Sequence, residues 1–149
     1  YGSNLVPLDY RPRPQDASRL FVYPWEQTRR SLRGIAGGTP DPHFGHALRF
    51  VNPGTGASPM PTIGTRVQLL LEGTCTRPRR STDGTVYVCL EGFGEAELNG
   101  QRLPFGVNDV FVVPSWIPLS LHAASDTVLF AFSDEPVQQA LGLWREEKL

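Results

Sequence analysis

The chain has 149 residues with 14 basic and 15 acidic side chains, a net charge of −1, and 40% hydrophobic against 19% charged residues. That balance is ordinary for one globular domain, gives nucleic acid or an anionic membrane no electrostatic reason to bind, and includes no apolar run near the ~20 residues of a membrane span. Two cysteines, Cys75 and Cys89, are too few for a disulfide framework and fit no zinc spacing. They read as reduced, partly buried thiols of a cytoplasmic protein without a signal peptide. The sequence opens Tyr-Gly-Ser and its one methionine is Met60, so it reads as part of something longer.

In chain order, residues 1 to about 24 carry prolines at 7, 12, 14 and 24. This composition predicts an extended arm, because proline cannot donate to an interior ladder. WEQTRRSLRGI then places Trp25, Leu32 and Ile35 on roughly one helical face, with Pro24 before it and Gly34 or Gly37-Gly38 to stop it. A Pro/Gly-rich linker leads to a strand, ALRFV, and a turn-rich loop, NPGTGASPMP. From Thr62 the texture becomes β: TIGTRVQLLLE as a strand pair or one bent strand, then TVYVCLE, GEAEL, DVFVVP, LSLHA and TVLFAF. Asn99-Gly100 is the strongest hairpin signal, since a type I′ turn needs positive φ at both central residues. Asp134 is expected to cap a short helix with Pro136 in its first turn, Val137, Ala140 and Leu141 inward, and Gly142 at its end. LWREEKL is expected as a tail. Short strands at this spacing predict an all-β sandwich or jelly-roll barrel with one or two peripheral helices. The expected organisation is 1–61 as arm, helix and linker packing on the barrel, 62–133 as barrel core, and 134–149 as helix and tail.

GTCTRPRRSTDGTVYVCLEG, from Gly73 to Gly92, has the frame of the first metal motif of cupin barrels without its ligands. Counting from Gly73 puts Arg79 and Ser81 at the two histidine positions. Counting back from Gly92 puts Thr85 at the glutamate position. In the second motif, Val107-Asn108-Asp109 and Pro114 lead to Leu119 where a third histidine belongs. A first-row metal needs convergent imidazole and carboxylate ligands. None of these four side chains supplies one, and Arg79 adds a permanent positive charge. No metal is expected there.

His122 lies three residues past Leu119, hence on the opposite face of an alternating strand. His43 and His46 form HxxH beside Gly45 and two prolines, a context for loop residues, not for a helical metal clip. No nucleophile elbow, phosphate loop or dinucleotide fingerprint occurs. Tyr87 and Trp116, with Arg79 and Ser81, are candidates to line a cavity or to fill the barrel. Arginines 29, 30, 33, 77, 79 and 80 are expected on a solvated face or in ion pairs.

TRPRRSTDGTVYVCLEGFG, DVFVVPSW, VLFAFSD and PVQQALGLWREE, with RFVNPGTG, MPTIG and the NLVPLDYRP arm, resemble the C-terminal half of gentisate 1,2-dioxygenases and their salicylate and hydroxynaphthoate relatives. The resemblance implies a cupin barrel from a two-cupin enzyme that cleaves a hydroxylated aromatic acid with Fe(II) and O2. It places the iron in the N-terminal cupin, carries no catalytic residue onto this chain, and implies that half as a partner within a homo-oligomer. Two alternatives stay open at this point. One is a stand-alone metal-free cupin in which Arg79 pairs a small carboxylate. The other is a metal-free cupin enzyme such as an isomerase, for which His122 would be the only barrel histidine.

Overall fold

A computed structural model describes residues 22–149. The expected arm, with Pro7, Pro12, Pro14 and the NLVPLDYRP stretch, lies outside the described residues up to position 21.

Helix α1 (Trp25–Ile35) spans the segment its pattern predicts. The Pro24 carbonyl accepts the N–H groups of Gln27 and Thr28, both at 3.1 Å. Glu26 in the first turn and Arg33 in the last complement the helix dipole. Leu32 is 1% exposed and packs with Ile35 and Ala36 on Val67, Leu69 and Val128. Trp25, expected on the same inward face, is instead 37% exposed. The N-terminal half of the helix stands off the sheet across a groove of about 270 Å³ lined by Tyr23, Gln27, Ser31 and Phe50.

The described residues form ten strands in two five-stranded antiparallel sheets. The first sheet is ordered β1 (His46–Arg49), β2 (Gly64–Leu70), β9 (Thr127–Ser133), β4 (Thr85–Glu91), β7 (Val110–Val113). The second is ordered β10 (Glu146–Lys148), β3 (Arg79–Ser81), β8 (Leu119–Ala123), β5 (Gly94–Leu98), β6 (Gln101–Phe105). The result is the jelly roll that the strand spacing predicts, of the cupin type that the resemblance implies. TIGTRVQLLLE resolves as one strand, β2, because both its faces are covered. Leu70 joins the barrel interior, while Val67 and Leu69 lie under α1.

Between the sheets sits one apolar cluster including Leu70, Tyr87, Cys89, Ala96, Leu121, Leu129 and Ala131. Phe111 stacks on Tyr87 at 5.0 Å and on Phe105 at 5.4 Å. Each such large side chain contributes roughly 1.5–3 kcal/mol by leaving water. The β5–β6 hairpin turns at Asn99 (φ 49°) and Gly100 (φ 82°), the two positive φ values a type I′ turn requires. Strand β4 ends in a register shift between Cys89 and Glu91, followed by Gly92 at φ 79°.

Two expectations at the C-terminal side are corrected. In α2 (Glu135–Ala140) no residue is buried, and Leu141, expected inward, is 66% exposed. The helix is too short to lay a face on the sheet. The Asp134 side chain makes no cap bond; its carboxylate accepts the Gly84 N–H at 2.9 Å and Gln138 Nε2 at 3.0 Å. The segment expected as a tail forms β10, which pairs Glu146 with Ser81 and Lys148 with Arg79. Strands β1 and β10 thus belong to the sheets although they fall outside 62–133.

Candidate functional site

The site is built where β3, β4, β7 and β8 meet at one end of the barrel. Arg79 pairs directly with Leu119 across β3 and β8, and Thr85 lies between Val113 and Ser133. Strand alternation buries Arg79 and Ser81 and leaves Arg80 half-buried. Arg79, Ser81, Thr85 and Leu119 therefore line one enclosed space, together with Asp83, Tyr87, Val113, Pro114 and Ile117. Its volume is about 10 Å³, barely what one water molecule needs.

A charge network fills this space. Arg79 Nη2 donates to Glu146 Oε2 at 3.1 Å and to Ser81 Oγ at 3.3 Å. Its Nε is buried without a partner. Asp83 accepts Trp144 Nε1 at 2.8 Å and the Thr85 hydroxyl at 3.2 Å. Burial pushes the Asp83 carboxyl up, but hydrogen bonds from Ser81, Trp144 and Ser133 and the charge of Arg79 outweigh it, holding the group below its ordinary value.

The mouth above this network is closed by Phe44. Its ring centroid lies 4.5 Å from the guanidinium carbon of Arg79 and 5.3 Å from that of Arg66. Desolvated contacts of this kind reach about 2 kcal/mol each. Arg66 in turn donates to the Tyr87 hydroxyl at 2.8 Å and to Gln68 Oε1 at 3.4 Å. The Phe44 loop is held in place from several sides. Asp41 Oδ1 accepts the N–H groups of His43 and Phe44 at 2.7 and 3.0 Å. Gln68 Nε2 donates to the Phe44 carbonyl at 3.0 Å, and the Arg77 N–H to the Pro42 carbonyl at 2.7 Å.

This donor set does not fit iron. Arg79 is a fixed cation, Leu119 has no lone pair, and Ser81 and Thr85 are weak neutral oxygens already hydrogen-bonded. Among the described residues no three His, Cys, Asp or Glu side chains converge as ligands. A free carboxylate finds its place on Arg79 taken by Glu146, with too little room beside it.

Trp116 stands apart from the other candidates. It is 40% exposed outside the barrel, and Arg80 stacks over its ring at 4.8 Å. At φ 63° its N–H reaches the Ser81 carbonyl at 2.7 Å. His122 points to solvent from the second sheet, opposite Glu95. His43 sits in the mouth loop, with Nδ1 3.2 Å from the Arg77 carbonyl oxygen, whereas His46 is a buried strand residue. The clustered arginines include ion pairs: Arg29 with Glu91 at 2.9 Å, and Arg33 with Glu91 and Asp126 at 3.6 and 3.4 Å. Sequence reasoning missed Phe44, Arg66, Asp83, Trp144 and Glu146. The available signal was a pair of opposite doublets, Arg79-Arg80 and Glu146-Glu147, which the β3–β10 register places against each other.

No family model matches the chain. It is 39% identical over 149 residues to gentisate 1,2 dioxygenase 1 of Aquipseudomonas alcaligenes, covering 99% of this chain and 43% of that protein. To 5-aminosalicylate 1,2-dioxygenase of Comamonas sp it is 37% identical over 142 residues, covering 93% of this chain and 37% of the relative. Among solved structures it resembles salicylate 1,2-dioxygenase from Pseudaminobacter salicylatoxidans, with a TM-score of 0.78 and 38% identity over 85% of this chain and 38% of that one. The chain thus spans about two-fifths of the length of the curated relatives it matches.

Proposed function

From a chain homologous along nearly its own whole length to the gentisate 1,2-dioxygenases, we propose that it works as the C-terminal, metal-free cupin of a ring-cleaving dioxygenase. In this reading the parent enzyme is cytoplasmic and opens the ring of a hydroxylated benzoate. The Fe(II) that activates substrate and O2 sits on histidines of an N-terminal cupin. The half described here contributes shape, inter-domain packing and oligomer contacts. One observation carries the reading: Arg79, Ser81, Thr85 and Leu119 do line a common cavity, and that cavity is filled by an internal ion pair instead of ligands. The site keeps the position of a cupin metal centre and none of its chemistry.

Two measurements test it. Metal analysis of the purified chain is expected to find no stoichiometric iron; one equivalent with a defined coordination signal overturns the proposal. Converting Arg79→His together with Ser81→His is expected to give no ring cleavage by this chain, because Thr85 and Leu119 still offer no ligand and the supporting shell is wrong. Turnover of gentisate by that double variant would place real catalytic capacity in this barrel.

A further inference from the structure

The outward faces of the two sheets differ in kind. On the second sheet, Glu95, Glu97, Arg102, Ser120 and His122 face a shallow polar groove, as expected of an antiparallel sheet with one face in water. On the first sheet, register places Val112, Val86 and Phe132 in one row and Val110, Val88 and Phe130 in the next. Alternation turns all six outward, away from Tyr87 and Phe111 inside. Val110 is 61% exposed and Val112 is 55% exposed. Helix α1 covers only the β1–β2 end of this same outward face, over Val67, Leu69 and Val128, and Phe50 packs on Phe130, which leaves the β4–β7 end open. Strand β7 is also the sheet's edge, and VFVV carries none of the lysine or proline that usually blunts one.

We propose that this open face, centred on Val86, Val110, Val112 and Phe132, is where the companion cupin half of the parent protein seats. The occupant is a flat, aliphatic surface of that half. This rests on the reading of the chain as one half of a longer enzyme. The relatives extend over more than twice the length this chain matches, so a whole domain's surface is available as a partner. A contiguous apolar patch beside a free strand edge marks an interface.

The test is thiol labelling of the full-length parent carrying Val112→Cys, read peptide by peptide with iodoacetamide. Cys75, exposed on the second sheet's side, is the internal reference. The expected result is alkylation of the introduced thiol at least about tenfold slower than Cys75, independent of protein concentration. Val110→Cys serves as the second variant should the first disturb folding. Equal rates at both thiols overturn the proposal. Protection that appears only as concentration rises overturns it too, because the occupant is then a second copy. Iron content and gentisate turnover of the same preparation report on the parent reading separately. A loaded, active enzyme with a freely labelled residue 112 sinks the docking face alone.

Discussion

At one end of the barrel Cys89, Ala96, Leu121, Ala123 and Leu129 close on one another as an apolar floor. At the other, Arg66, Arg79, Ser81, Asp83 and Thr85 fill the same cross-section with charges and hydroxyls. The same strands build both ends: β4 passes Thr85 at the polar end and Cys89 at the apolar end, and β8 starts at Leu119 and ends at Ala123. The apolar end is held by area removed from water, which tolerates any well-fitting neighbour. The polar end is held by particular partners, several more than sixty positions away in sequence, and each buried charge there is costly without its mate. Hydrophobic collapse forms the barrel; the ion pair decides what the space between β3 and β8 contains.

The largest separation of the two ends should come from single truncations. Leu129→Ala, a fully buried side chain, is expected to cost about 3–4 kcal/mol in urea unfolding, with no dependence on pH. Arg79→Ala is expected to cost about 3 kcal/mol, because it takes the nearby cation from Asp83 and leaves Glu146 with Lys148 alone, at 3.7 Å. The contrast sharpens with Arg79→Met plus Glu146→Leu, which removes both charges and should recover most of that loss, to within about 1 kcal/mol of the parent. A double variant as unstable as the single one would mean the pair is worth more than its desolvation cost.

Smaller effects follow from titration. Asp83 has a folded-state pKa below its ordinary value, so it adds stability above about pH 4 that is lost as pH falls through the lowered folded value. Asp83→Asn should remove that part of the acid slope, whereas Leu129→Ala should keep it. Smallest of all, and without effect on stability, is thiol reactivity. Burial and then the Asp109 carboxylate push Cys89 up to about 11, against a backbone hydrogen bond from Glu91. Iodoacetamide at pH 8 should label Cys75 promptly and leave Cys89 until the protein unfolds.

The same division governs what the sequence made legible. Periodicity located α1 to its end residues, and Asn99-Gly100 located the hairpin, because those signals are local. Motif counting brought Arg79, Ser81, Thr85 and Leu119 to one place because barrel strands keep their register. Trp116 was misplaced because its left-handed φ turns it outward, which no alternation pattern encodes. Phe44, Arg66 and Trp144 escaped because their roles arise only when loop 41–45, β2 and the residues after α2 converge on one mouth. Strand β10 was read as a tail because three residues carry too little alternation to register.

The guanidinium of Arg79 is part of the polypeptide, so the positive centre of this barrel is never loaded, exchanged or lost. A chelator that strips iron from an enzyme should leave the melting temperature of this unit where it was. In the proposed reading, the barrel completes this site from its own sequence without waiting for a supply of metal.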